Sequence, residues 1–257
     1  MSDSAEALLK QAAGTTVSPE TVGSVNVPDL SDQIEKGLGV STEDVTASQV
    51  LLVTMLIDDS SSIRHHNNTD AVRSGYNTVI DALQASKQRD AVLAHTRYLN
   101  GGVFYDFRPI DEALRMDQTN YKPSGRTPLY EESVNLLGTV AAQIEKFANA
   151  GVMARSITLI VTDGDDNESV NSVGDVKNWV DDLLAKEMSI VVGMGIDDGR
   201  TDYRTVFGDM GIADDRILTP GNTESEIRDA FGVFSRSAVQ ASQGTAQFDG
   251  DVGGFGV

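Results

Sequence analysis

The chain has 257 residues, with 39 Asp and Glu against 20 Lys and Arg, which gives a formal charge of −19. A charge of this sign repels phosphate backbones and makes nucleic acid an unfavourable partner. The absence of cysteine excludes disulfides, thiolate catalysis and cysteine-ligated zinc. No stretch approaches the roughly 18 apolar residues of a membrane span. We therefore expect a soluble, cytoplasmic protein with one principal domain and no membrane contact.

The two ends of the chain differ from its middle in composition and periodicity. Residues 1–48 are predicted to form an N-terminal arm that is partly helical or flexible, with helical patterns at residues 5–12 and 29–38. Residues 243–257 are rich in glycine and are predicted to be a flexible C-terminal tail. The principal domain is therefore expected to span residues 49–242.

Strand and helix patterns alternate through the predicted domain. Asn100, Gly101 and Gly102 separate two strand patterns, which is typical of a tight turn in an antiparallel hairpin. The alternation predicts an α/β fold: a Rossmann-like, doubly wound, mainly parallel sheet with one antiparallel edge strand and helices on both faces. Strands are predicted at residues 51–57, 91–99, 103–107, 156–162, 189–196 and 216–220, and helices at 72–83, 127–147, 176–184, 203–210 and after Thr223.

Polar residues follow two of the predicted core strands. Asp58, Ser60 and Ser62 come after the first strand, Asp163 comes after a later one, and Thr127 begins a helix. The carboxyl ends of parallel strands share one rim, which is where open α/β sheets bind ligands. Two close carboxylates repel unless a cation or a proton separates them, and hard oxygens with few charges suit Mg²⁺ or Mn²⁺. The sequence therefore predicts an incompletely filled metal site.

Three motifs in this order resemble a von Willebrand factor A domain with an intact metal-ion-dependent adhesion site. They are D-x-S-x-S at residues 58–62, the threonine of GRTPLY, and TDG after a buried strand. The resemblance covers residues 50–240. It departs from the family at Ser61, where glycine is frequent, and at Ile63, where methionine is frequent; neither position supplies a predicted ligand.

This resemblance implies the function and the role of each site residue. Asp58, Ser60, Ser62 and Thr127 would lie in or near the first coordination shell of Mg²⁺, or of Mn²⁺ or Ca²⁺, and Asp163 would act through water. The implied activity is protein binding without catalysis, in which an acidic residue of the partner fills the open metal position. Without cysteines or a signal sequence, the chain resembles the intracellular members, which work in multi-protein assemblies and with AAA+ ATPases.

Two other functions fit parts of the pattern. A phosphatase of the haloacid-dehalogenase kind would use Asp58 as its nucleophile, but it would need an acid where Ser60 stands. A structural assembly subunit with a vestigial metal site would bind its partners regardless of chelators.

Further expectations concern residues near the site and the partner. The neighbouring pair His65 and His66 is expected at the surface, and Asp59, Asp165 and Asp166 are expected to be solvated loop acids. Because the whole chain is acidic, we expect a partner surface that is basic around one central acid.

Overall fold

The structure is a computed structural model that describes residues 4–42, 45 and 47–244. Except for its first two residues, the predicted glycine-rich tail lies outside this part of the chain. The strands described are β1 (Gln49–Ile57), β2 (Val92–Tyr98), β3 (Gly102–Pro109), β4 (Met153–Thr162), β5 (Ser189–Gly195) and β6 (Ile217–Leu218). The α-helices are α1 (Ala5–Ala12), α2 (Pro19–Gly23), α3 (Val27–Gly37), α4 (Ser61–His65), α5 (Thr69–Gln84), α6 (Leu129–Asn149), α7 (Val173–Leu184), α8 (Tyr203–Asp209) and α9 (Glu224–Ser242).

The strands form one sheet in the order β3-β2-β1-β4-β5-β6. All neighbouring strands are parallel except β2 and β3, which form the predicted hairpin at the sheet edge. In the centre, Ile57 of β1 is in register with Tyr98 of β2 and Val161 of β4. The predicted fold class is confirmed.

Helices cover both faces of the sheet, and this explains why β1 is apolar along nearly its whole length. On one face α5 packs against α9, and on the other α6 packs against α7 and against β4 and β1. The α5–α9 contact requires a small residue at Gly75, because a Cβ atom there would lie 2.2 Å from Cδ2 of Phe231. Among the described residues, no helix is long and apolar enough to cross a membrane.

The N-terminal residues add a layer of helices to the second face. Helices α1 and α3 pack on α6, and α2 packs on α7. Leu8, Leu9 and Ile34 are fully buried in the core cluster that also contains Trp179 of α7. Residues 4–42 therefore extend the core on this face instead of projecting from it, while the predicted boundary between an arm and a domain at residue 48 stays a prediction.

Candidate metal centre

Two acidic residues meet where the strand order reverses. From β1 the chain continues to β2 on one side, whereas β4 and β5 lie on the other, so the crevice between the carboxyl ends of β1 and β4 is the switch point at which such sheets bind ligands. Asp58 follows β1 and Asp163 follows β4, and both are almost completely buried. The backbone N–H of Asp163 donates to Oδ2 of Asp58 at 3.2 Å.

The two predicted serine hydroxyls connect these carboxylates. The loop after β1 turns into α4, and its Ser60 N–H donates to Oδ1 of Asp58 at 2.7 Å. Ser60 Oγ lies 2.7 Å from Ser62 Oγ, and Ser62 Oγ donates to Oδ1 of Asp163 at 2.5 Å. Hydrogen bonds therefore link four of the five predicted site residues into one continuous group.

Thr127 lies beside the same group and is held there by the loop after β4. It is buried, its N–H donates to Oδ1 of Asn167 at 3.0 Å, and its carbonyl accepts from the N–H of Asn167 at 3.1 Å. A Cβ atom added at Gly164 would lie 3.9 Å from Thr127 Oγ1, so this hydroxyl faces the residue that follows Asp163. The hydrogen bonds of the described residues do not join the Thr127 hydroxyl to the other four.

The electrostatics of the pair favour a bound cation. Burial, followed by the charge of Asp163, raises the pKa of Asp58 to about 6, against hydrogen bonds from Ser60 and Thr162 that lower it. Burial also raises the pKa of Asp163, although hydrogen bonds from Ser62 and His66 oppose this effect. In the described part of the chain, no Lys or Arg forms an ion pair with either carboxylate. A cation bound between them would relieve their repulsion.

The donor set fits a hard divalent ion. The described residues contain no group of three or more His, Asp or Glu side chains in a metal-binding arrangement. The site instead combines two carboxylates with hydroxyl oxygens, which suits Mg²⁺, Mn²⁺ or Ca²⁺ better than ions that prefer nitrogen or sulfur. Asp58, Ser60 and Ser62 could hold such an ion directly, with Thr127 and Asp163 beside them.

One residue that contacts the site was missed in the sequence. His66 Nδ1 lies 3.0 Å from Oδ2 of Asp163, and its side chain is 35% exposed. His66 is therefore a partly exposed histidine that also contacts the site, whereas His65 is exposed as expected. The available signal was the four-residue spacing from Ser62, which places His66 on the side of the turn that faces Asp163.

The expectation that Asp59, Asp165 and Asp166 are solvated loop acids is wrong for Asp59. Asp59 is buried, and its carboxylate accepts hydrogen bonds from the N–H groups of Asn100 at 2.7 Å and Gly101 at 3.1 Å. Burial raises its pKa against these bonds. Asp166 accepts from the N–H of Tyr130 in the first turn of α6, while Asp165 is exposed as expected. Asp59 thus ties the loop after β1 to the β2–β3 turn.

Comparisons with known proteins support the fold. No protein-family model matches the sequence, and no curated protein matches it either. The pilus adhesin SpaC from Lactobacillus rhamnosus GG, in its open conformation, is 13% identical over 80% of this chain and 31% of its own, with a TM-score of 0.54.

Two further solved structures are similar at lower TM-scores. Proximal thread matrix protein 1 from the mussel byssus, with a zinc-occupied MIDAS motif, is 17% identical over 72% of this chain and 46% of its own, with a TM-score of 0.48. The SpRpn10 VWA domain is 9% identical over 70% of this chain and 93% of its own, also with a TM-score of 0.48. The chain spans less than half the length of the SpaC and mussel chains that it matches. This chain has the doubly wound fold expected of a von Willebrand factor A domain.

Proposed function

We propose that this chain is a metal-dependent protein-binding module of the von Willebrand factor A family, with an intact metal-ion-dependent adhesion site. The observation that carries the proposal is the hydrogen-bonded group that runs from Asp58 through Ser60 and Ser62 to Asp163, at the switch point of the sheet. Two buried carboxylates without a Lys or Arg ion pair among the described residues support a cation as the group that completes it.

The residues of the site have different roles in binding the ion. Asp58 supplies a buried negative charge, and Ser60 and Ser62 supply neutral oxygens. Asp163 engages one carboxylate oxygen with Ser62 and the other with His66, which favours contact with a metal through water. A bound divalent ion would offer an open position to an outside carboxylate.

The partner in this proposal is a protein that presents one acidic residue to the metal. We place the chain in a cytoplasmic multi-protein assembly, with an AAA+ ATPase as the candidate partner and Mg²⁺ as the resident ion. The resemblance of the sequence motifs to the intracellular members of the family supports the location and the partner, and the set of hard oxygen donors supports Mg²⁺.

Thermal unfolding with and without divalent ions tests the metal site. An ion that binds only the folded state stabilises it by about 2.7 kcal/mol at a concentration 100 times its dissociation constant. For a chain of this size that corresponds to an increase of roughly 5 to 10 °C in the melting temperature. We expect this increase with Mg²⁺ or Mn²⁺ and its reversal by a chelator.

Asp58→Ala should fold but lose the response to the ion. The matched control is Asp165→Ala, which removes an exposed acid from the neighbouring loop and should respond like the wild type. Equal shifts for the wild type and Asp58→Ala would show that the ion binds elsewhere.

The two alternative functions predict different results. A phosphatase with Asp58 as its nucleophile would hydrolyse a generic aryl phosphate and lose that activity in Asp58→Asn, whereas a binding module should show no turnover. A structural subunit with a vestigial site would keep its partner in the presence of a chelator, whereas our proposal requires dissociation.

A further inference from the structure

A cationic pocket lies beside the candidate metal centre. Arg64, Arg73 and Lys122 line one surface pocket with a volume of about 420 Å³. This local charge is opposite to that of the whole chain, in which acids outnumber Lys and Arg by 39 to 20. An anion that approaches this pocket therefore meets a positive local potential, although the net charge of the chain is negative.

The pocket wall is hydrogen-bonded to the loop after β1, which carries Asp58 and Asp59. Arg64 lies on α4, two residues after Ser62. Tyr121, which also lines the pocket, donates its hydroxyl to the carbonyl of Asp58 at 2.5 Å. The N–H of Ser124, another lining residue, donates to the carbonyl of Asp59 at 2.6 Å. These bonds fix the position of the pocket relative to Asp58.

Two of the three cations are available to an outside group. Arg64 and Lys122 are exposed, and neither side chain has an ion pair or hydrogen bond within the described part of the chain. Arg73 is different, because it is paired with Asp70 and only 15% of its side chain is exposed. Its charge also lowers the pKa of Asp117 after the hydrogen bonds made to that carboxylate by Thr119 and Asn120. Arg64 and Lys122 are therefore the groups able to pair with a ligand.

We propose that this pocket binds carboxylates of an acidic partner segment, which also supplies the carboxylate for the metal. The second half of this statement rests on the proposed function, whereas the first half stands on the pocket alone. At physiological salt, charges separated by more than about 8 Å are largely screened. The electrostatic energy of a bound acidic segment therefore depends more on the nearby cations than on the distant acids. On this side of the site we therefore expect an acidic partner surface, in place of the basic surface around one acid that the net charge predicts.

The probes are three short fluorescent peptides measured by anisotropy. The first carries one aspartate flanked by glutamates, and the second replaces each glutamate with glutamine. The third replaces each glutamate with lysine. Each peptide is titrated with the wild-type chain in Mn²⁺ or Mg²⁺ and again in chelator. A single-stranded oligonucleotide serves as a probe for a different class of anion.

The test variant is the double substitution Arg64→Gln and Lys122→Gln, which removes both available cations. The matched control is the double substitution Lys87→Gln and Lys186→Gln, which changes the net charge equally. Lys87 precedes β2 and Lys186 precedes β5, so both exposed residues lie at the opposite rim of the sheet. Circular dichroism and melting temperature establish that both variants are folded.

We expect the glutamate peptide to bind the wild type about fivefold more tightly than the glutamine peptide, as two exposed charge contacts allow. The lysine peptide should bind most weakly. The test variant should lose the preference for glutamate, while its affinity for the glutamine peptide and its thermal response to the ion stay at wild-type values. The control variant should keep the preference.

Three results would overturn the inference. They are equal wild-type affinity for the glutamate and glutamine peptides, equal loss of the preference in both double variants, and tighter binding of the oligonucleotide through Arg64 and Lys122. Failure of the proposed function has a separate signature. In that case the preference for glutamate persists in chelator and depends on Arg64 and Lys122, while the ion has no effect on binding or melting.

Discussion

His66 shows how a residue outside the recognised motif can shape the site. Its ring nitrogen and the Ser62 hydroxyl together engage both oxygens of Asp163. Loss of the His66 contact would free one carboxylate oxygen of Asp163 and let its side chain rotate, which would change the surroundings of a metal bound as we propose. Outer-shell partners of this kind contribute about 10- to 100-fold to metal affinity.

His66→Ala should therefore weaken Mn²⁺ binding by about tenfold, measured by calorimetric titration. His66→Asn should retain most of the affinity, because its side-chain amide places an N–H donor close to the position of Nδ1. His65→Ala, an exposed neighbour, is the matched control and should bind like the wild type. Identical affinities for His66→Ala and His65→Ala would remove His66 from the site.

His95 on β2 gives a pH dependence of stability that does not involve the candidate metal centre. Burial, followed by the charges of Arg97 and Arg108, lowers its pKa from 6.5 to about 3. Its Nδ1 lies 2.7 Å from the carbonyl of Tyr105, and Nε2 has no hydrogen-bond partner. The folded protein therefore keeps His95 neutral at a pH where the unfolded chain binds a proton there.

The sign of the effect follows from proton linkage. The stability associated with neutral His95 is complete above pH 6.5 and is lost as the pH falls from 6.5 towards 3. From about pH 8 to about pH 5 the loss is about 2 kcal/mol, at 1.36 kcal/mol per pKa unit. Urea unfolding at the two pH values measures this loss. When the pH falls from about 8 to about 5, the free energy of unfolding of His95→Gln should decrease by about 2 kcal/mol less than that of the wild type. His65→Ala should retain the wild-type pH dependence, and a similar dependence in His95→Gln would contradict this account.

At the scale of elements, the pairing of α5 with α9 depends on one close contact. Gly75 lies on α5, and Phe231 of α9 is fully buried against it. In other helical positions alanine stabilises relative to glycine, by roughly 1 kcal/mol. At Gly75 the added methyl would instead overlap the aromatic ring, and the two helices would have to move apart.

Gly75→Ala should therefore reduce the free energy of unfolding by roughly 1 to 3 kcal/mol, the usual cost of overpacking a core. Gly232→Ala on α9 is the matched control, because the nearest atom to its added Cβ is Nη1 of Arg236 at 3.6 Å. That variant should be as stable as the wild type or more stable in chemical denaturation. A stabilised Gly75→Ala would show that the helices repack without cost.

At the scale of the whole molecule, the N-terminal helices share a core with the sheet. Leu9 of α1 and Trp179 of α7 belong to one buried cluster, although 170 positions separate them in the chain. Polar contacts reinforce this packing, since Thr15 and Thr16 donate to Glu145 and Thr21 donates to Asp182. We therefore expect residues 4–42 to unfold together with the sheet.

The single tryptophan of the chain makes this expectation measurable. Leu9→Ala should lower the free energy of unfolding seen by Trp179 fluorescence by about 2 to 5 kcal/mol, as for other buried leucines. Lys10→Ala, an exposed change on the same helix, should have little effect. If Trp179 reports an unchanged transition while circular dichroism records an earlier loss of helix, the N-terminal segment is a separate unit.

Local patterns in the sequence were sufficient to predict the sheet and most of its helices. Runs of buried residues such as 51–57, the turn at Asn100 and Gly101, and helical periodicity each reflect interactions within a few residues. The doubly wound arrangement follows because apolar strands that alternate with amphipathic helices must be covered on both faces. The order of the motifs likewise indicated which oxygens would gather at one rim.

Other features depend on contacts between distant parts of the chain, and only the tertiary structure decided them. Asp59 and Asn100 are 41 positions apart, and His66 and Asp163 are 97 apart. No local pattern specifies such pairs, because their distance depends on how the strands align and how the loops between them close. Composition likewise gives only the net charge of −19, whereas folding gathers Arg64, Arg73 and Lys122 around one pocket beside the candidate metal centre.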